Sequence, residues 1–312
     1  MFAALGVLLA GLVLLTLAAD RLVLSATRLA RAFGVSPILI GALVVGLGTS
    51  APELLVSVLA AARGELDLAM GNVVGSNVSN VTLVLGAAAL VTPISARLAT
   101  LRREGVMMLA AVGGLTVLLW DLHLGRIEGA VLATTMVVAA WLLVRWSRRD
   151  ALREAEAARG FMADSEASTV SEALIGLATL LLTLAGAEVL VRGATLLTDE
   201  LDISSAFVGL VIVSVGTSLP ELATALAAAR RAEPDLIVGN LLGSNLFNAL
   251  MVAGVAALAG PGVVDVSFRS ALGFMVGAAA LAGLFVVTRR RLDRWEAAVL
   301  LALFLAFVAV VA

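Results

Sequence analysis

Two glutamates, Glu53 and Glu221, stand inside otherwise apolar sequence in the same local context, Gly48-Thr49-Ser50-Ala51-Pro52-Glu53 and Gly216-Thr217-Ser218-Leu219-Pro220-Glu221. A carboxylate near the centre of a membrane helix costs about 2.5 to 3.5 kcal/mol on insertion scales. A chain that accepts this cost twice points to a ligand or ion pathway. Each motif is followed by a second one, Gly71-Asn72-Val73-Val74-Gly75-Ser76-Asn77-Val78-Ser79-Asn80 and Gly239-Asn240-Leu241-Leu242-Gly243-Ser244-Asn245-Leu246-Phe247-Asn248. Ser76 and Asn80, like Ser244 and Asn248, are four residues apart and share a helix face. Carboxylates, hydroxyls and amides are all oxygen donors, which suit hard cations such as Ca²⁺ and Na⁺. The chain has no Cys and a single His, so soft transition metals are poorly served.

The backbone around the glutamates supports this reading. Pro52 removes a donor, and Gly46 and Gly48 loosen the turn before it, so carbonyls near Gly46, Leu47 and Thr49 are freed at membrane depth. Freed backbone is tolerated there only against protein or a hydrated cavity. A plainer alternative exists. Ser50-Ala51-Pro52-Glu53 and Ser218-Leu219-Pro220-Glu221 also fit a capping box, with a hydroxyl at the N-cap and Glu at the third helical position. For Asn72, Asn77, Asn240 and Asn245, hydrogen bonding between helices and a role in the site are both open.

The elements that hold these residues come in duplicate. A shift of 168 positions superposes the two copies, with five of six positions identical in the first motif and six of ten in the second. Leu14-Leu15-Thr16-Leu17-Ala18 recurs as Leu181-Leu182-Thr183-Leu184-Ala185, which extends the duplication to the first helix of each half. With 61% hydrophobic residues, 14% charged and a mean hydropathy of +1.09, the chain reads as an all-α membrane protein. A net charge of −2 argues against nucleic acid as a partner, and the composition leaves the lipid bilayer as the surroundings.

Hydropathy predicts ten transmembrane helices. Five lie at about 2–30, 36–62, 67–92, 104–120 and 127–146, and five at about 171–198, 204–230, 235–260, 270–288 and 295–312. An odd number of spans per half makes these two inverted five-helix repeats, 1–146 and 171–312, joined by a cytoplasmic linker at 147–170 that is either helical or flexible. When alternate connections are assigned to alternate sides, sixteen Arg residues collect on one side and only Arg63, Arg126 and Arg269 on the other. Both termini are therefore expected outside the cell membrane. Asp20 with Arg21, and Glu188 with Arg192 at i,i+4, are expected as local ion pairs or interfacial anchors on the first helix of each repeat. Trp120, Trp141, Trp146 and Trp295 are expected as interfacial anchors, and His123 in an outer loop has no assigned role.

The paired G-T-S-x-P-E and G-N-x-x-G-S-N-x-x-N segments resemble the two alpha repeats of the sodium/calcium exchanger family of cation/Ca²⁺ antiporters, as found in its prokaryotic members. The proton-coupled branch usually has G-N-x-x-E at the first of these motifs, so the likeness is to the sodium-coupled side. The resemblance implies that Glu53 and Glu221 bind Ca²⁺ directly, with the carbonyls of Thr49 and Thr217. It implies that Ser50, Ser76, Ser218, Ser244, Asn80 and the carbonyls of Gly46 and Ser214 help form sodium sites. Asn248 belongs to the same cluster, at a position where some prokaryotic members carry Asp.

The expected function is secondary antiport of Ca²⁺ against Na⁺ across the cell (inner) membrane, with no cofactor beyond the transported ions. Competing readings are a Ca²⁺/H⁺ or K⁺-dependent Na⁺/Ca²⁺ antiporter and, from another class, a cation channel. No G-x-S-x-G stretch and no membrane His argue for an enzyme.

Overall fold

The structure is a computed structural model that describes residues 2–157, 169–200, 214–266 and 268–311. In chain order the helices are α1 (Phe2–Ala32), α2 (Pro37–Thr49), α3 (Ala51–Ala62), α4 (Leu66–Val91), α5 (98–118), α6 (Arg126–Ala157), α7 (Thr169–Glu200), α8 (Ser214–Thr217), α9 (Leu219–Arg230), α10 (Pro234–Ala259), α11 (Phe268–Arg289) and α12 (Arg294–Val311). Six described segments are long and apolar enough to cross a membrane, in α1, α4, α6, α7, α10 and α11. A seventh is the pair α2 and α3, which meet at 44°. The chain is a helical membrane protein.

The other expected spans take different forms. The one at 104–120 is α5, interrupted by a π-helical turn at Leu101–Gly105. Of the one at 204–230, residues 204–213 lie outside the described residues. The last is α12, 18 residues long. α6 runs on through Ala157, past the expected end of its span at 146. Its extension is rich in Ala, Glu and Arg, which are strong helix formers, so the backbone has no reason to stop at the bilayer edge.

The duplication in the sequence is reproduced in the elements. α3 maps onto α9 and α4 onto α10 residue for residue under the shift of 168. Each long helix also carries a π turn at the same place, Asn80–Val84 and Asn248–Val252. α4 and α10 form the centre of the molecule. In their apolar windows 83% and 78% of residues are buried, against 28 to 44% in the other straight spans. The end of α10 packs on α3 and α6, and the end of α4 packs on the equivalent α9 and α12.

Short antiparallel strand pairs tie the two halves at their ends. β1 (Ile94–Ser95), before α5, pairs with β4 (Arg291–Leu292), after α11. β2 (His123–Leu124), after α5, pairs with β3 (Gly262–Val263), before α11. His123 thus has a place in a strand pair.

α1 and α7 lie side by side. Glu172 of α7 is buried and accepts hydrogen bonds from Arg21, Arg28 and Ser25 of α1, the last at 3.1 Å. Asp20 is held elsewhere. It takes two hydrogen bonds from Arg231, just beyond the end of α9, with Nε to Oδ1 at 2.9 Å. The expected local pair Asp20–Arg21 is therefore corrected. Neighbouring residues on a helix point about 100° apart, so each serves a different partner. The side chain of Arg192 lies outside the described residues. Trp141, Trp146 and Trp295 each lie near a guanidinium, of Arg145, Arg103 and Arg289 in turn, within cation–π distance.

Candidate ion-binding site

Two helix starts face each other at the centre. α3 begins after a break at Ser50 and α9 after a break at Ser218, with Pro52 and Pro220 in the first helical turn. Both serines stand at the N-cap position, yet neither side chain makes a capping hydrogen bond. The capping-box reading is thereby corrected. Ser50 donates instead across the two halves, to Glu221 Oε1 at 2.7 Å. Ser244 of α10 donates to the carbonyl of Gly46 at 3.2 Å and lies 3.4 Å from the same Glu221 oxygen. Gly46, Ser50, Glu221 and Ser244 thus form one contact group drawn from both repeats.

The equivalent contacts are not made around the Glu53 carboxylate, and a second set of bonds runs beside both glutamates. Thr217 donates to the carbonyl of Ser214 at 3.2 Å and to Asn72 Oδ1 at 3.1 Å. Asn72 Nδ2 in turn donates to the backbone carbonyl of Glu53 at 3.2 Å and to Ser57 Oγ at 3.0 Å. On the other side, Thr49 donates to the Val45 carbonyl at 2.9 Å and lies 3.5 Å from Asn240 Oδ1. Asn240 Nδ2 donates to Thr224 Oγ1 at 3.2 Å. Asn72 and Asn240 therefore tie the break of one repeat to the helix start of the other. The sequence left their role open, and the partners Ser57 and Thr224 were not singled out.

Glu53 and Glu221 are fully buried, as are Ser76, Asn80 and Asn248, while Ser218 is 1% exposed. Both carboxylate oxygens of Glu53, one of Glu221, and the side-chain polar atoms of Ser76, Ser218, Asn80 and Asn248 have no hydrogen-bond partner among the described residues. Nor does an Arg pair with either carboxylate among those residues. Two desolvated anions without a counter-charge are strongly unfavourable, and unsatisfied buried oxygens add to the cost. A cation among them removes both penalties. The oxygen-only donor set suits a hard ion.

The π turns at Asn80 and Asn248 were not visible in the sequence. Such turns insert one residue into the helical hydrogen-bond ladder and occur often at functional sites. No side-chain pattern distinguishes them from ordinary α-helix in an apolar run.

The profile of the sodium/calcium exchanger protein family matches residues 3–145 and again 171–312. The chain belongs to this family. Among curated relatives of this exchanger-family chain is the putative antiporter CaxA of Alkalimonas amylolytica, 38% identical over 96% of this chain and 95% of the relative. The inner membrane protein YrbG of Escherichia coli is 38% identical over 85% of this chain and 82% of its own length. The sodium/calcium exchanger MaX1 of Methanosarcina acetivorans is 30% identical, with 97% of each covered. Among solved structures, the sodium-calcium exchanger NCX_Mj soaked with Na⁺ and Sr²⁺ superposes with a TM-score of 0.85 at 29% identity, covering 99% of this chain and 98% of that one. The chain is thus a transmembrane antiporter-family protein of the ion-transport class.

In an exchanger-family protein the support of Thr217 by Asn72 has a measurable consequence. Asn72→Ala removes hydrogen bonds to Thr217, Ser57 and the Glu53 carbonyl while leaving both carboxylates in place. Each buried bond is worth about 0.5 to 1.5 kcal/mol. If the cluster holds Ca²⁺, its affinity in the purified variant, read by calorimetry, is expected to fall about tenfold. Unchanged affinity would mean that the backbone at Thr217 needs no such support.

Proposed function

We propose that the chain exchanges Ca²⁺ for Na⁺ by alternating access, the two ions competing for one central cluster. The observation that carries this reading is the pair of buried carboxylates, Glu53 and Glu221, one from each repeat, with no counter-charge of their own among the described residues. In this reading Glu53 and Glu221 bind Ca²⁺ with the carbonyls of Thr49 and Thr217. Ser50, Ser76, Ser218, Ser244, Asn80, Asn248 and the carbonyls of Gly46 and Ser214 complete the sodium positions. Crossing hydrocarbon with two bare carboxylates is costly and with neutralised ones is not, so the cluster must be occupied before the helices around it rearrange. That requirement couples the two fluxes.

The ten-helix, inverted-repeat architecture, with repeats at 1–146 and 171–312, is supported by the strand pairs. β1 and β4 share one end of the molecule, and β2 and β3 share the other. α5 runs from β1 to β2, and α11, its equivalent, runs from β3 to β4. The two helices therefore run in opposite directions. At ~1.5 Å per residue α11 is about 33 Å long, enough to cross the hydrocarbon core. The distribution of Arg supports an orientation with both termini outside the cell membrane.

The test is calcium uptake into proteoliposomes preloaded with Na⁺. An outward Na⁺ gradient is expected to drive Ca²⁺ inward. Uptake driven by a pH gradient and indifferent to Na⁺ would falsify sodium coupling and leave a proton antiporter. Flux at channel-like rates without any counter-ion requirement would mean a pore.

A further inference from the structure

The turn that joins α11 to α12 is basic in a way that its counterpart is not. It reads Arg289-Arg290-Arg291-Leu292-Asp293-Arg294-Trp295-Glu296, and the shift of 168 lays it on Asp121-Leu122-His123-Leu124-Gly125-Arg126-Ile127-Glu128. The two turns share a backbone. Arg290 and Leu122 both have positive φ, at 56° and 65°, and a two-residue strand follows each. Glu296 and Glu128 each accept a hydrogen bond from the backbone N–H three residues back, of Asp293 and Gly125. Formal charge separates them, +2 at 289–296 against −1 at 121–128 with His123 neutral. The arginines are therefore not required by the turn itself.

These arginines sit where the chain leaves and re-enters the bilayer. Arg289 is the last residue of α11 and Arg294 the first of α12, and all four side chains are exposed. Arg291 pairs with Asp293 at 2.8 Å, and Arg294 Nε donates to the Leu90 carbonyl at the end of α4 at 3.1 Å. Among the described residues no carboxylate pairs with Arg289, Arg290 or Arg294. Apolar surface adjoins them. Trp295 is 52% exposed, lies 5.7 Å from the Arg289 guanidinium and meets Phe285 edge-on. Val299, one turn further along the same face of α12, is exposed as well.

We propose that this turn is a binding site for the headgroup of an anionic phospholipid in the leaflet on the arginine-rich side. The phosphate lies against Arg289 and Arg290, whose N–H groups suit phosphate oxygens, and the acyl chains run along Trp295 and Val299. An indole at headgroup level is a natural interfacial contact. A free phosphate offers the same oxygens without chains, so the apolar half of the site favours the lipid. Each basic residue near an anionic membrane surface strengthens attachment about fivefold. The contact also reaches the ion-holding core, because Arg294 holds Leu90 and α12 packs along the end of α4, the helix that carries Ser76 and Asn80. A lipid held at the turn ties that end of α4 to the membrane surface, whichever ions are exchanged.

The test uses the full chain with Trp120→Phe, Trp141→Phe and Trp146→Phe, which leaves Trp295 as the sole tryptophan. It is placed in phosphatidylcholine vesicles with increasing fractions of phosphatidylglycerol or phosphatidylcholine brominated in the acyl chains, which quench indole on contact. Phosphatidylglycerol is expected to reach half-quenching at a several-fold lower fraction than phosphatidylcholine. Arg289→Gln with Arg290→Gln is expected to raise that fraction by up to about 30-fold, the limit being the value for the neutral lipid. Arg102→Gln with Arg145→Gln removes two exposed arginines elsewhere on the same side and is expected to leave it within about twofold. Asp293→Asn keeps a capping residue, releases Arg291 and is expected to lower the fraction about fivefold. Should the glutamine pair not fold, Asp293→Asn carries the test. Equal quenching by the two lipids, an equal shift in the two arginine pairs, or no gain in Asp293→Asn would overturn the site and leave only diffuse attraction to the basic face. Reversal of the quenching by soluble glycerol phosphate would overturn the lipid as occupant in favour of a free phosphate.

Discussion

Replacing either buried glutamate by glutamine, Glu53→Gln or Glu221→Gln, is expected to abolish calcium transport while the protein still inserts and folds. Both side chains are fully enclosed, and no Arg among the described residues neutralises them. Each glutamine keeps the volume and one acceptor oxygen but removes half the formal charge that offsets a divalent ion. The loss is expected to exceed about 100-fold, or ~2.7 kcal/mol, because an uncompensated charge in low dielectric costs several kcal/mol. Stability moves the other way. Removing a desolvated anion relieves a penalty in the ion-free protein, so its thermal midpoint is expected to hold or rise. The contrast between the two readouts identifies the role. A variant that transports normally marks its residue as part of the helix start alone. A variant that fails to fold marks it as structural. Glu221→Gln carries an additional signature, since Ser50 and Ser244 both bond its Oε1 and can be satisfied by the glutamine carbonyl.

The 168-residue shift placed α3 on α9 and α4 on α10 because the repeat is written in residue identities, which the fold does not alter. Long apolar runs set the bounds of α4, α10 and α11 to within about two residues. What failed was anything that depends on which neighbour a side chain meets. Asp20 and Arg21 are adjacent in the chain and so look like a pair, but the helix turns them toward α9 and α7. Ser50 has the residue type of an N-cap, yet its hydroxyl is turned to donate to the Glu221 carboxylate, a charge-assisted bond with a partner 171 residues away in the chain. The π turns at Asn80 and Asn248 lie in buried, apolar stretches whose residues read equally well as α-helix in a single sequence.

The close approach of α10 to α2 depends on glycine, and a single methyl group there is expected to disable the site from behind. Gly239 and Gly243, one turn apart on α10, lie against Ile38 and Ala42, one turn apart on α2. A Cβ built on Gly243 would fall 2.3 Å from the Ala42 carbonyl oxygen, and one on Gly239 2.4 Å from that of Ile38. The obstacle is backbone and cannot rotate away. Small residues are what permit helices in lipid to approach so closely, where no hydrophobic force presses them together. The residues that follow these glycines are Asn240 and Ser244, which reach toward Thr49 and the Gly46 carbonyl. Gly243→Ala must push α10 outward by the better part of an ångström. Ser244 then lies beyond hydrogen-bond reach of Gly46, starting as it does from 3.2 Å. Overpacking of this kind costs about 1 to 3 kcal/mol, so the thermal midpoint is expected to fall by several degrees. Sodium affinity is expected to fall with it, since Ser244 and the Gly46 carbonyl leave one another. Gly277→Ala on α11, whose Cβ would meet nothing within 4 Å, is the matched control and is expected to leave both quantities unchanged or slightly improved. Equal behaviour of the two alanine variants in thermal melts and sodium titrations would mean that the α2–α10 contact does not set the geometry of the cluster.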